Sequence, residues 1–195
     1  MQIPHKTDVA AMKQRLAKIL FDRSYMEGDF TLASGKKSDY YFDCRQTSLH
    51  PEGAWLIGSL FAEMLSDLDV VAVGGMTMGA DPLITATSVA SHLKGGTPLA
   101  GLIVRKAVKD HGTGRYIEGL ANVKAGDKVA MLEDVVSTGG SVLQACDRVH
   151  DAGLDVAVIC CVLDRGEGGR EKLLEAGYQV RAIFTRQELV SLARD

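Results

Sequence analysis

At 195 residues, with 46% hydrophobic and 24% charged side chains, the chain is long enough to bury a substantial core and reads as one domain over residues 1–195. A formal charge of −3 argues against nucleic-acid binding, which calls for a basic excess, and no apolar run approaches the roughly 20 residues that span a bilayer. Residues 1–14 hold no apolar secretory core, so the expected location is cytoplasmic.

Apolar positions at helical spacing begin at 7–21. Residues 28–48, "GDFTLASGKKSDYYFDCRQTS", follow as an irregular strand pair, a hood added to the sheet that makes about 1–48 an N-terminal elaboration. Further along, helices are expected at 51–66, 82–94, 140–152 and 186–194. Between them lie short apolar runs at 69–75, 99–106, 128–134, 155–164 and 179–185, whose β-branched content suits strands buried on both faces. Strand and helix alternate, so the class is α/β with a parallel sheet and right-handed crossovers. Cys44, Cys146, Cys160 and Cys161 show no C-x-x-C spacing and are expected as reduced packing residues. The five scattered histidines argue against a zinc site.

In open α/β sheets, ligands bind beyond the C-terminal ends of the strands. Those ends read "GGMTMGADP", "RKAVKDHGTG", "EDVVSTGG" and "LDRGEGG". Each is rich in glycine or charge, and their convergence on one crevice predicts an active site.

The third of these begins with two acids, Glu133 and Asp134, and continues through Val135 and Val136 into Ser137, Thr138, Gly139, Gly140 and Ser141. There is no Walker lysine and no G-x-G-x-x-G. Small residues entering a helix expose backbone N–H groups, and the helix end is positive, so the turn suits one phosphate monoester. A plain helix cap would need no acids. Two carboxylates beside an anion would repel it unless they held something else, such as ribose hydroxyls or Mg²⁺. A cradle for a sugar 5-phosphate is the sharper reading.

The segment "VAMLEDVVSTGGSV" resembles the phosphoribosyl-diphosphate motif of type I phosphoribosyltransferases. That resemblance implies the family fold, a central mainly parallel sheet flanked by helices with a small N-terminal hood. It also implies ribose contacts from Glu133 and Asp134 and 5-phosphate contacts from 137–141. The usual first acid is Asp, and here it is Glu133.

Three other loops resemble orotate phosphoribosyltransferases. The spacing R-K-x-x-K-x-H-G at 105–112 matches their catalytic loop. It implies Lys109 as principal catalytic lysine, with Arg105, Lys106 and His111 on the diphosphate, and a homodimer in which this lid reaches the neighbouring site. "FTLASGKKSDYYFDCR" matches their opening motif and implies orotate contacts from Ser34, Gly35, Tyr41 and Phe42, with Ser137 also at the base. Ala33 and Met78 stand where some relatives carry lysine. Arg165 in "LDRGEGG" is implied to bind the substrate carboxylate, for which a bidentate guanidinium is well suited.

The implied activity is transfer of ribose 5-phosphate from 5-phosphoribosyl 1-diphosphate to orotate, giving orotidine 5′-monophosphate and pyrophosphate in UMP biosynthesis. Mg²⁺ is the implied cofactor, held mainly through the diphosphate and ribose, with no direct protein ligand assigned and Asp134 the side chain considered beside it. Alternatives are a purine or uracil transferase, which would share the first motif but not the lid spacing with Arg165, and a nucleotide-sensing protein on the same fold, which commonly adds a basic surface or a further domain.

Overall fold

A computed structural model describes residues 8–31, 35, 37–107 and 116–194. Helix α1 (Val9–Ser24) opens at Asp8, whose side chain accepts from the Ala11 N–H at 3.1 Å, a standard side-chain N-cap. It leads into an antiparallel hairpin, β1 (Tyr25–Thr31) with β2 (Lys37–Phe42), which forms a two-stranded sheet of its own. The expected hood is therefore present as a separate layer, with an irregularity between Glu27 and Phe30. Helices α2 (Arg45–Ser48) and α3 (Pro51–Met64) follow, then β3 (Ala72–Met76), α4 (Asp81–Lys94) and β4 (Ala100–Val104).

The second half comprises β5 (Ile117–Glu118), β6 (Lys128–Val136), α5 (Gly140–Asp151), β7 (Asp155–Asp164), α6 (Gly169–Glu175), β8 (Val180–Thr185) and α7 (Arg186–Arg194). The main sheet has the order β5-β4-β3-β6-β7-β8. All its neighbours are parallel except β5, which runs antiparallel to β4 at the edge. From β3 the chain steps outward to β4, then returns to place β6 on the other side of β3. The reversal leaves the crevice at the C-terminal ends of β3 and β6, where ligands of such sheets bind.

The strands are covered on both faces, as their continuous apolar runs require. Alternate residues of β6 enter different clusters. Ala130 and Leu132 pack with α1, α3, α4 and α7, while Val129 and Met131 pack with α5 and α6. All four cysteines are buried and free, and burial pushes their thiols upward, to about 12 for Cys146 and Cys160.

Several boundaries differ from the sequence expectation. Strand β3 starts at Ala72 rather than 69, and β6 continues two residues past Asp134. The edge strand β5 and the short helix α6 had no periodic signal, because two and seven residues are too few to show one.

Candidate active site

Glu133 and Asp134 lie inside the β6 ladder rather than at its end. Val135 and Val136 pair with Leu163 and Asp164 of β7, and Val136 is fully buried. These two valines, expected in the phosphate loop, are therefore strand residues: a β-branched pair next to a buried neighbour strand prolongs the ladder. Consecutive strand residues point to opposite faces, and the acids do so. Glu133 turns toward α5, where the Ser141 hydroxyl donates to its Oε2 at 2.9 Å. Asp134 turns toward the loop after β3, where a side chain on Gly79 would come within 3.0 Å of its carboxyl. Its Oδ1 accepts from the Val135 N–H at 2.8 Å.

Burial dominates the titration of both. Glu133, 6% exposed, is pushed up to about 8 by loss of solvent and by repulsion from Asp134, with the Ser141 bond working the other way. Asp134 is also raised by burial, opposed by its hydrogen bonds and by Arg45. A proton held by the pair relieves the repulsion.

The turn after β6 fits an anion. Gly139 holds φ 72° at the N-cap of α5, a left-handed conformation that other residues avoid. The first amides of α5 have no acceptor within the helix and point outward. Thr138, Gly140 and Ser141 are exposed. Helix α6 approaches so closely that a Cβ on Gly169 would lie 2.5 Å from the Ser137 carbonyl oxygen. Opposite, the β3 loop carries Thr77, whose hydroxyl donates to Asp81 at 2.8 Å, and Met78, two-thirds exposed.

Arg165 begins the turn after β7, its N–H donating to the Val136 carbonyl at 3.1 Å. The side chain is 7% exposed and lies 2.9 Å from Glu167, at ion-pair distance but without hydrogen-bond alignment at Nε. Nη2 donates to Ser38 at 3.3 Å, and the guanidinium sits 4.5 Å over the Tyr40 ring. Arg186 lies 3.9 Å from the same ring and is bonded to Asp39 at 2.8 Å. A groove of about 770 Å³ runs from Arg165 to Arg194 along α7; it includes neither acid of β6 nor the phosphate turn.

Of the hood aromatics, Tyr41 is 37% exposed, whereas Phe42 is buried within the main core. Phe42, expected at the orotate ring, lies on the inward face: β2 alternates, so Tyr40 and Phe42 face the core and Tyr41 faces outward. Sequence reasoning passed over Ser38 and Tyr40, the β2 residues that hold Arg165. The i, i+2 spacing from Ser38 to Tyr40 was the available signal. Gly35 is exposed at φ 80°. Arg105 pairs with Glu118 at 2.9 Å, and Lys106 is exposed. Ser34, Lys109 and His111, expected at the base and the diphosphate, lie outside the described residues.

No family model matches the chain. It is 43% identical over 186 residues to the orotate phosphoribosyltransferase of Nostoc sp., covering 95% of this chain and 89% of that one. The structure of orotate phosphoribosyltransferase from Mycobacterium tuberculosis with Fe(III) dicitrate matches with a TM-score of 0.80 and 37% identity, covering 91% and 98% of the two chains. The same enzyme with 5-phospho-α-D-ribosyl 1-diphosphate gives 0.76 and 33%, covering 92% and 99%. A mostly parallel central sheet flanked by helices, here with paired acids and a small-residue turn at its switch point, is the type I phosphoribosyltransferase fold. Within that class, the chain belongs to the orotate phosphoribosyltransferase family.

Proposed function

We infer that this chain transfers ribose 5-phosphate from 5-phosphoribosyl 1-diphosphate to N1 of orotate, releasing pyrophosphate and forming orotidine 5′-monophosphate in UMP biosynthesis. The observation that carries the reading is the pairing at one crevice of a buried diacid and a helix-end phosphate turn. Arg165 stands on the adjacent strand end.

In the reaction, the first amides of α5 and the hydroxyls of Ser137 and Thr138 hold the 5-phosphate. The carboxyls of Glu133 and Asp134 accept from the ribose hydroxyls, and the single negative charge of the pair favours positive charge as it builds on the anomeric carbon, which is oxocarbenium-like in the transition state. Arg165 takes the orotate carboxylate. Orotate arrives as an anion, so no strong base is required at N1. Arg105, Lys106, Lys109 and His111 neutralise the departing pyrophosphate, with Lys109 the principal group.

Mg²⁺ belongs to this proposal. Among the described residues no group of three or more His, Cys, Asp or Glu could hold an ion alone. The site would hold Mg²⁺ mainly through the diphosphate and ribose oxygens, with the Asp134 carboxyl beside it. Bound there, Mg²⁺ supplies charge neutralisation to the leaving diphosphate, a contribution of roughly several kcal/mol. A homodimer with the lid shared between sites, and a cytoplasmic location, complete the proposal. The family resemblance supports the dimer. The direct test is loss of orotate's ultraviolet absorbance on mixing with phosphoribosyl diphosphate and Mg²⁺. Turnover of adenine or xanthine but not orotate would overturn the reading. Lys109→Ala is expected to lose a large part of the rate with modest change in orotate binding; full activity would remove Lys109 from its role.

A further inference from the structure

Arg148 projects from the last turns of α5 and makes four contacts outside its own helix. Nη1 donates to the backbone carbonyl of Arg105, and Nη2 donates to the carbonyl of Lys106 at 3.0 Å. The guanidinium lies 4.3 Å from the centroid of the Tyr116 ring, and Nη1 is 3.8 Å from the Met76 sulfur at the end of β3. Tyr116 is itself tied to the same place, because its carbonyl accepts from the Arg105 N–H at 2.8 Å. One side chain thus gathers the end of β3, the two residues that follow β4 and the residue that precedes β5.

The chemistry of the group suits that work. A guanidinium is a planar fork with donors at fixed separation, so two successive carbonyls bonded to it are held in one orientation. The Tyr116 face restrains the same plane from the side. Arg148 is half-buried, which strengthens both kinds of contact over their value in open solvent.

The position in α5 matters as much as the contacts. The helix begins at Gly140, beside the phosphate turn, and Arg148 lies eight residues on, about 12 Å along the axis. We propose that Arg148 is a positioning residue that fixes Arg105 and Lys106 relative to the phosphate turn. It thereby sets the separation at which the donor's 5-phosphate and its diphosphate are held. The proposal rests on the functional reading above for the roles of those two ends.

Fragments of the donor test it. Ribose 5-phosphate occupies only the turn at the start of α5, and pyrophosphate occupies only the diphosphate end. With Arg148→Met, inhibition by pyrophosphate is expected to weaken about tenfold, and kcat/KM for phosphoribosyl diphosphate to fall by at least as much, while inhibition by ribose 5-phosphate stays within about twofold. Arg148→Lys, which supplies a point charge in place of the fork, should lie between the two. It also serves if the Met variant does not fold. Weakening of both fragments in parallel would mean general damage to α5 and would overturn the proposal. So would unchanged inhibition by pyrophosphate. If the unaltered protein turns over orotate and binds both fragments, either of those results sinks Arg148 alone. If it binds neither fragment, the functional reading falls with it.

Discussion

A carboxyl group at 6% exposure beside a second carboxyl avoids an unpaired charge by keeping its proton, and Glu133 does so up to about pH 8. In the unfolded chain it would ionise near 4.5, the ordinary value. Between those two values the unfolded state has released its proton and the folded state has not. Stability therefore falls as pH rises through that window and stays low above it. Glu133→Gln keeps an acceptor for Ser141 and removes the titration. Denaturant unfolding is expected to show the variant more stable than the parent at pH 9, by about 1–3 kcal/mol, with the two converging near pH 4.5. A constant difference across that range would show that Glu133 titrates normally in the folded protein.

At the scale of the element, the phosphate turn is shaped by the neighbours of β6 and α5 as much as by its own residues. Gly169, at the start of α6, leaves no room for a Cβ against the Ser137 carbonyl. Gly169→Ala must push the turn or α6 aside, at a cost of about 1–3 kcal/mol. The expected result is a lowered melting midpoint together with weaker ribose 5-phosphate binding; a lowered midpoint with unchanged binding would mean that α6 alone moves. This contact also marks a limit of the linear reading. The strand-helix alternation and the converging strand ends were legible because long apolar runs carry a clear period. Gly169 was visible only as part of a glycine-rich stretch, since a close approach between two loops has no period. The expected strand ends at Asp134 because paired acids resemble a strand end, and Val135 and Val136 lie beyond it. The β7 partners Leu163 and Asp164, which prolong the ladder, are distant in sequence. Phe42 illustrates the opposite case: its inward face follows from strand alternation once the strand's register is known.

For the whole molecule, two apolar layers on either side of the sheet carry the stability, and the hood is held to them chiefly by rings. Phe21 stacks on Tyr25 at 5.1 Å and Tyr25 on Tyr40 at 5.2 Å, so β1 and β2 join α1 to Arg165 and Arg186 over the Tyr40 ring. The ion pairs alongside, Arg186 with Asp39 and Arg194 with Glu27, involve well-exposed partners that water and salt screen, so they contribute little. The four cysteines are spread between both layers: Cys44 and Cys160 in one, Cys146 and Cys161 in the other. Each is closed to solvent and holds its proton against ionisation. A disulfide reagent reacts with thiolate, so the native protein should stay silent toward it and yield four equivalents only after opening. The two sides of the sheet then act as separately placed clocks. Equal labelling rates for all four would time one cooperative unfolding event, and early labelling of Cys44 with Cys160 would time detachment of the hood side alone.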